Sequence, residues 1–320
     1  DTTPVIEGTG EIGTDITVLI NSKTYTATVD SSSNWSVHVA DTLADATYTY
    51  TVTAKDTAGN ETTRSGSIEV DTTAPNLLDS GLSVGSDTGI SNSDKITSVT
   101  TPVIEGTGEN GDLITVLIDG ETYTATVDSS GNWSLTVTDA LDDGTYNYTV
   151  RASDTAGNAT SRDDTLRVDT EAPALVNKGL NDLSDTGISN TDNITKKTTP
   201  VIEGTGEIGA VIRVFIDGKV YQTAVSESGT WSVTVADALE DATYAYTVTA
   251  TDLAGNISDA AGSIRVDNTA PALANNGLNN ASDTGSSNSD NITQKTKPVI
   301  EGTGEIDADI KVVINSKTYS

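Results

Sequence analysis

Cysteine is absent from all 320 residues, which removes disulfides and thiolate metal ligands together. Methionine is absent as well, so the chain does not open on a natural start and reads as a segment of something longer. There is a single histidine, His38, and a single phenylalanine, Phe215. No nucleophile elbow, phosphate-cradling glycine loop or H-E-x-x-H pair occurs. No apolar run approaches the roughly 20 residues that a membrane span needs, so membrane insertion is not expected. Basic residues are few: 17 against 47 acidic ones, for a net charge of −30. Such a surface repels nucleic acid and anionic membrane, and neither is expected as a partner. The charge has two readings: solubility during export, or cation binding, because carboxylates held close together are costly unless something neutralises them.

What is present is a repeat. Pro4, Pro102, Pro200 and Pro298 each open the phrase T/K-P-V-I-E-G-T-G-E, one every 98 residues. Trp35, Trp133 and Trp231 keep that spacing, as do Asp71, Asp169 and Asp267. A chain of near-identical copies is an array, and arrays bind or extend more often than they catalyse. The copies also serve as one another's controls. His38 is matched by Thr136 and Thr234, so it is not a catalyst or ligand shared by the array. The G-T-G-E phrase is followed by a strand rather than a helix, so it is no dinucleotide fingerprint. No enzymatic activity is expected.

The second copy reads as a succession of short strands. Val103-Ile-Glu runs to the glycines Gly106 and Gly108, and Ile114-Thr-Val-Leu-Ile runs into Asp119-Gly120, a two-residue turn of type I′. Glu121 to Val127 returns, and Ser129-Ser-Gly-Asn132 leads to a strand on which Trp133, Leu135 and Val137 point inward. Thr145 to Ala152 carries Tyr146, Tyr148 and Val150 on one face, and a last strand ends at Asp169. With a further strand near Leu77, and turns every 8 to 12 residues, the pattern predicts an antiparallel sandwich with no helix. The tryptophans are assigned to its core.

Six phrases follow one another in this copy: V-D-T-T-A-P (70–75), S-D-T-G-I-S-N-S-D (86–94), P-V-I-E-G-T-G-E (102–109), G-N-W-S (131–134), D-G-T-Y (143–146) and S-D-T-A-G-N (153–158). Together they resemble the bacterial immunoglobulin-like domains of giant type I-secreted surface adhesins, and the resemblance covers the whole chain. Tyr146, with Tyr48 and Tyr244, resembles the tyrosine corner of immunoglobulin-like domains, whose phenol bonds backbone at the turn. The expected fold is all-β, with tandem immunoglobulin-like Greek-key sandwiches arranged as an elongated rod. The expected copies are 1–71 (lacking its first strand), 72–169, 170–267 and the N-terminal part of a fourth over 268–320. The resemblance implies a secreted, extracellular stalk on the bacterial cell surface, stiffened by calcium at the domain junctions. Its partners are then calcium and the neighbouring domains of the same chain, and the chain itself is expected to be a monomer.

Threading the acidic residues through such a sandwich suggests which of them hold the ion. The last strand runs to the end that meets the next copy, where the G-T-G-E turn and the D-x-A-G-N turn of that copy also lie. Asp71, Glu109 and Asp154 are expected to converge at the first junction, and Asp169, Glu207 and Asp252 at the second; Asp267 and Glu305 would begin a third. Three carboxylates with backbone carbonyls and water can supply the six to eight hard oxygens calcium takes. Turn capping is the competing reading. A second candidate is the D-T-G loop, where Asp87 and Asp94 bracket a glycine and small polar residues; Asp185 with Asp192 and Asp283 with Asp290 repeat it. Asp143, Asp45 and Asp241 are assigned to the tyrosine-corner turn, Asp139 with Asp41 and Asp237 to strand-end caps, and Glu105 to the solvated face.

All seven prolines fall at the V-D-x-x-A-P junction or at the start of the P-V-I-E-G strand, which favours extended links. Two functions remain: a calcium-stiffened stalk, or a module contacting host glycan or a host-cell protein receptor directly. The second would show as one copy departing from its siblings on an exposed face, and only Phe215 stands out in this way.

Overall fold

The computed structural model describes residues 1–320, which fall into two compact units. One comprises Asp1–Pro173 with Thr251–Ile257, the other Ala174–Ala250 with Ser258–Ser320. All regular structure is β-strand.

In the first unit the strands of the first copy are β1 (Val5–Thr9), β2 (Asp15–Ile20), β3 (Lys23–Thr28), β4 (Asn34–His38), β5 (Ala46–Lys55) and β6 (Glu61–Val70). They form a β1-β4 pair and a sheet of order β3-β2-β5-β6. The second copy has β7 (Leu77–Leu82), β8 (Ile96–Thr97), β9 (Val103–Gly108), β10 (Leu113–Ile118), β11 (Glu121–Thr126), β12 (Asn132–Thr136), β13 (Gly144–Ser153) and β14 (Ala159–Val168). Its sheets have the orders β11-β10-β13-β14-β8 and β12-β9-β7.

Alternation explains the core of the second copy. In β10 the residues Ile114, Val116 and Ile118 are buried while Leu113 and Leu117 face out, the period-2 pattern of a strand covered on one side. Each such buried side chain contributes about 1.5–3 kcal/mol. They pack with Ile104, Trp133, Leu135, Val137, Tyr148, Val150 and Leu166 from both sheets. Trp133 and Trp231 are buried, and Trp35 is packed against the core of its own copy. The β10–β11 turn has positive φ at Asp119 (51°) and Gly120 (82°), which is the type I′ geometry.

Ile96 and Thr97 escape the sequence pattern, because two residues carry no readable period. They pair in parallel with Arg167 and Val168 at the end of β14. That pairing brings the whole D-T-G loop beside Asp169, whose N–H donates to the Thr97 carbonyl at 2.9 Å.

The second unit repeats the plan. Leu175–Leu180, Val201–Gly206 and Thr230–Thr234 form one sheet; Ile194–Thr195, Ile257–Val266, Ala242–Thr251, Val211–Ile216 and Lys219–Ala224 form the other in that order. The remaining strands, Leu273–Leu278 with Ile300–Gly304 and Val312–Ile314 with Lys317–Tyr319, make two separate pairs whose side chains are largely exposed.

Candidate metal centres

The D-T-G loops are built alike in three copies. Asp87, Asp185 and Asp283 are each 5 % exposed. Their Oδ2 atoms accept the backbone N–H of Lys95, Asn193 and Asn291 at 3.2, 3.0 and 3.0 Å, while every Oδ1 is buried without a hydrogen-bond partner. Asp94, Asp192 and Asp290 are exposed and accept the N–H two residues on, each at 3.1 Å. Ser86, Ser184 and Ser282 accept the N–H of Val103, Val201 and Val299, which ties each loop to the strand that follows it. Burial pushes the Asp87 carboxyl above its usual range, and the neighbouring Asp94 charge adds to this against the Lys95 N–H. The geometry is an aspartate held in place by its backbone partners, with one buried oxygen left without a donor.

The D-x-A-G-N turns are equally regular. Asp154 accepts the Asn158 N–H (2.9 Å) and side-chain amide (2.8 Å); Asp252, only 2 % exposed, accepts the same two groups of Asn256 at 2.9 Å each and the Gly255 N–H at 2.7 Å. Burial opposes ionisation of Asp154, but the Asn158 amide and the backbone N–H groups outweigh it and hold its carboxyl low. The same asparagine side chains reach across the joint: Asn158 donates to the Asp71 carbonyl at 3.2 Å and Asn256 to the Asp169 carbonyl at 2.8 Å. Thr160 adds a bond to the Pro75 carbonyl at 2.6 Å.

The first unit therefore brings Asp71, Glu109 and Asp154 to one end of the second copy. Glu109 Oε1 accepts both the N–H and the side-chain amide of Asn76 at 2.9 Å. Asp71 is half-buried and caps the Thr73 N–H at 2.9 Å. Asp169 caps Glu171 and pairs with Arg167 at 2.8 Å; Asp267 pairs with Arg265 at 2.9 Å. In the second unit the N–H of Glu207 donates to the Ala174 carbonyl at 3.0 Å, and that of Glu305 to the Ala272 carbonyl at 3.1 Å. No three acidic or histidine side chains stand at metal-holding distance as they are placed.

Two sites that the sequence separates prove to adjoin. Thr88 Oγ1 donates to the Ala254 carbonyl at 2.6 Å, and a Cβ on Gly89 would lie 2.0 Å from the Leu253 carbonyl oxygen. The D-T-G loop of the second copy thus packs on the D-L-A-G-N turn that follows Thr251, beside Asp169.

Two assignments change. Asp143 does not serve the tyrosine corner: it accepts the N–H and hydroxyl of Thr170 at 2.9 Å each, clamping the start of the link to the next copy. Asp45 does the same for Thr72 and Thr73, and Asp241 for Asn268 and Thr269. Asp41, Asp139 and Asp237 lie just past the ends of their strands, but what they accept is a side chain rather than a strand's backbone: the phenols of Tyr25, Tyr123 and Tyr221 at 2.6, 2.8 and 2.8 Å. Glu105 alternates with the buried Ile104 and keeps to the other face of its strand, where it is half-buried. The tyrosine corners are as expected, with Tyr48, Tyr146 and Tyr244 donating to the carbonyls of Ala44, Asp142 and Glu240 at 3.0, 2.9 and 3.1 Å. Phe215 lies on an exposed face, where its counterparts Leu19 and Leu117 also face outward, and is the one aromatic at that place.

Among curated proteins none matches the chain. Among solved structures it is similar to a Ca2+-stabilised adhesin that helps an Antarctic bacterium reach out and bind ice, at 30% identity over 99% of this chain and 82% of that one, TM-score 0.35. It is similar at 26% identity to a 1.5-MDa bacterial ice-binding adhesin, over 82% of this chain and 90% of that one, TM-score 0.35. A tetra-tandem repeat from the extending region of a large adhesion protein matches at 23% identity over 87% and 74%, TM-score 0.32. The model of the bacterial Ig-like domain matches residues 1–72, 74–170, 172–268 and 269–320, and the chain belongs to that family.

Proposed function

We propose that this chain is a structural segment of the stalk of a bacterial cell-surface adhesin, extended and stiffened by calcium at the joints between its copies. One observation carries the calcium reading: the buried, donorless Oδ1 of Asp87, Asp185 and Asp283. A carboxylate oxygen shut off from water without a partner is expensive, and the same expense in three copies speaks for a ligand that removes it. The donors are carboxylates and carbonyls, the set that suits a hard cation. The candidates in the first unit are Asp87 and Asp94 in the loop, Asp71, Glu109 and Asp154 at one joint, and Asp169 and Asp252 at the next. Those of the second unit are Asp185, Asp192, Glu207, Asp267, Asp283 and Asp290. Affinities of about 10⁻⁴ to 10⁻³ M are expected, as for other extracellular modules.

On this reading these phrases are similar to the repeat region of the giant non-fimbrial adhesin of Salmonella. The protein is then exported by a type I system, works outside the cell as a monomer and catalyses nothing. Host glycan or receptor binding by a single copy is the alternative, and a glycan array on the chain tests it. The stalk reading is tested by thermal unfolding and X-ray scattering in calcium and in EDTA. Calcium should raise the unfolding temperature and the radius of gyration; identical curves in the two conditions would overturn it.

A further inference from the structure

We propose that Asp112 makes the joint between the first and second copies a tighter divalent-cation site than its counterparts. The inference rests on the calcium reading of the joints and concerns what sets one joint apart. Position 112 is Thr14 in the first copy, Ala210 in the third and Ala308 in the fourth. Asp112 is 5 % exposed, and its Oδ2 is buried with no hydrogen-bond partner. Its backbone is fixed at both ends: its N–H donates to the Glu109 carbonyl at 3.1 Å, and its carbonyl accepts the Val127 N–H at 3.0 Å.

That N–H bond sets Asp112 beside Glu109, and the pairing of Leu113 with Ser153, one residue on from Asp112 and one before Asp154, brings the start of β10 to Asp154. Both belong to the end of the second copy that meets Asp71, through the Asn76–Glu109 and Asn158–Asp71 bonds. Four carboxylates from two copies therefore share one place, and one of them presents a buried oxygen with no donor. The six ion pairs of the chain include none of the four.

A second difference points the same way. Arg167 pairs with Asp169, and Arg265 with Asp267, but the matching residue beside Asp71 is Glu69. An arginine competes with a cation for its aspartate; a glutamate does not. Side-chain rotation has to close the four carboxylates round an ion, since no three of them are gathered at ligating distance as they stand. Calcium affinity follows the number of charged ligands, so an added aspartate and a missing arginine should both tighten binding.

The test is titration of the full chain with CaCl2 by isothermal calorimetry. Asp112→Ala places at the first joint the residue that the third copy already has, and Asp112→Thr the residue of the first copy. The wild-type chain should show a tighter class of site that both variants weaken roughly tenfold or more, with the weaker class unchanged. Glu69→Arg, which gives Asp71 the neighbour that Asp169 and Asp267 have, should weaken the tight class as well. Calcium binding by the wild type that neither Asp112 variant alters overturns this proposal alone. Absence of any calcium heat in the wild type overturns it together with the stalk reading.

Discussion

At Gly106 an added Cβ would stand 2.1 Å from the Leu78 carbonyl oxygen and 2.7 Å from Cζ2 of Trp133, so backbone as well as ring would have to move. Gly204 meets Val176 and Trp231 in the same way, at 2.0 and 2.6 Å. Gly8, in the first copy, approaches only the ring of Trp35, at 2.8 Å. Gly106→Ala should therefore destabilise the second copy by about 1–3 kcal/mol through overpacking. Gly8→Ala should cost less, because a tryptophan ring tilts more readily than a paired strand shifts. Urea unfolding followed by copy-resolved hydrogen exchange measures both, and equal costs would show that the Leu78 carbonyl contact does not matter.

The links between copies depend on single aspartates at the start of the long strands. Asp45 holds Thr72 and Thr73, and Asp241 holds Asn268 and Thr269. The hydroxyl of Thr73, then those of Thr72 and its N–H, keep the Asp45 carboxyl below its usual 3.8; the Thr269 hydroxyl leads for Asp241. A lowered folded value means stabilisation present in full above the unfolded value and lost as pH falls through the folded one. Amide protection at Thr72 and Asn268, corrected for intrinsic exchange, should thus hold from neutral pH to about pH 4 and fall below it. Protection that survives unchanged to pH 2 would show that the clamps are not ionic. The clamps themselves were not readable from sequence: Asp143 lies 27 residues from Thr170, and its neighbours D-G-T-Y suggest a local turn role. By contrast, the alternation of Ile114, Val116 and Ile118 and the Asp119-Gly120 turn are local signals, and the β10–β11 hairpin follows from them. The candidate site divides in the same way. The two recurring phrases are plain in the sequence, but the Thr88–Ala254 contact joins residues 166 apart through a two-residue strand with no pattern of its own.

On the scale of the whole molecule, 47 acidic and 17 basic residues set the response to salt. Most of these charges are exposed, and at about 0.1 M ionic strength they are screened beyond roughly 10 Å. In EDTA, raising sodium chloride from about 10 to about 150 mM should raise the unfolding temperature steadily, as repulsion is screened over distances comparable to the size of a copy. A flat or falling calorimetric response would mean that the carboxylates are too dispersed to oppose folding. Screening by sodium is general, so the calcium effect is to be read at constant ionic strength.

Asn158 reaches the carbonyl of Asp71, and Asn256 that of Asp169, across the same 87 residues. A gene encoding such a chain can therefore gain or lose one whole period with its breakpoints anywhere inside it, and every joint that remains finds its partners in register. Length becomes an inherited variable open to recombination without a folding penalty. Residues peculiar to one copy, such as Glu69 and Asp112, travel with their period, so the same event that resets the length also changes where along the chain its most acidic joint lies.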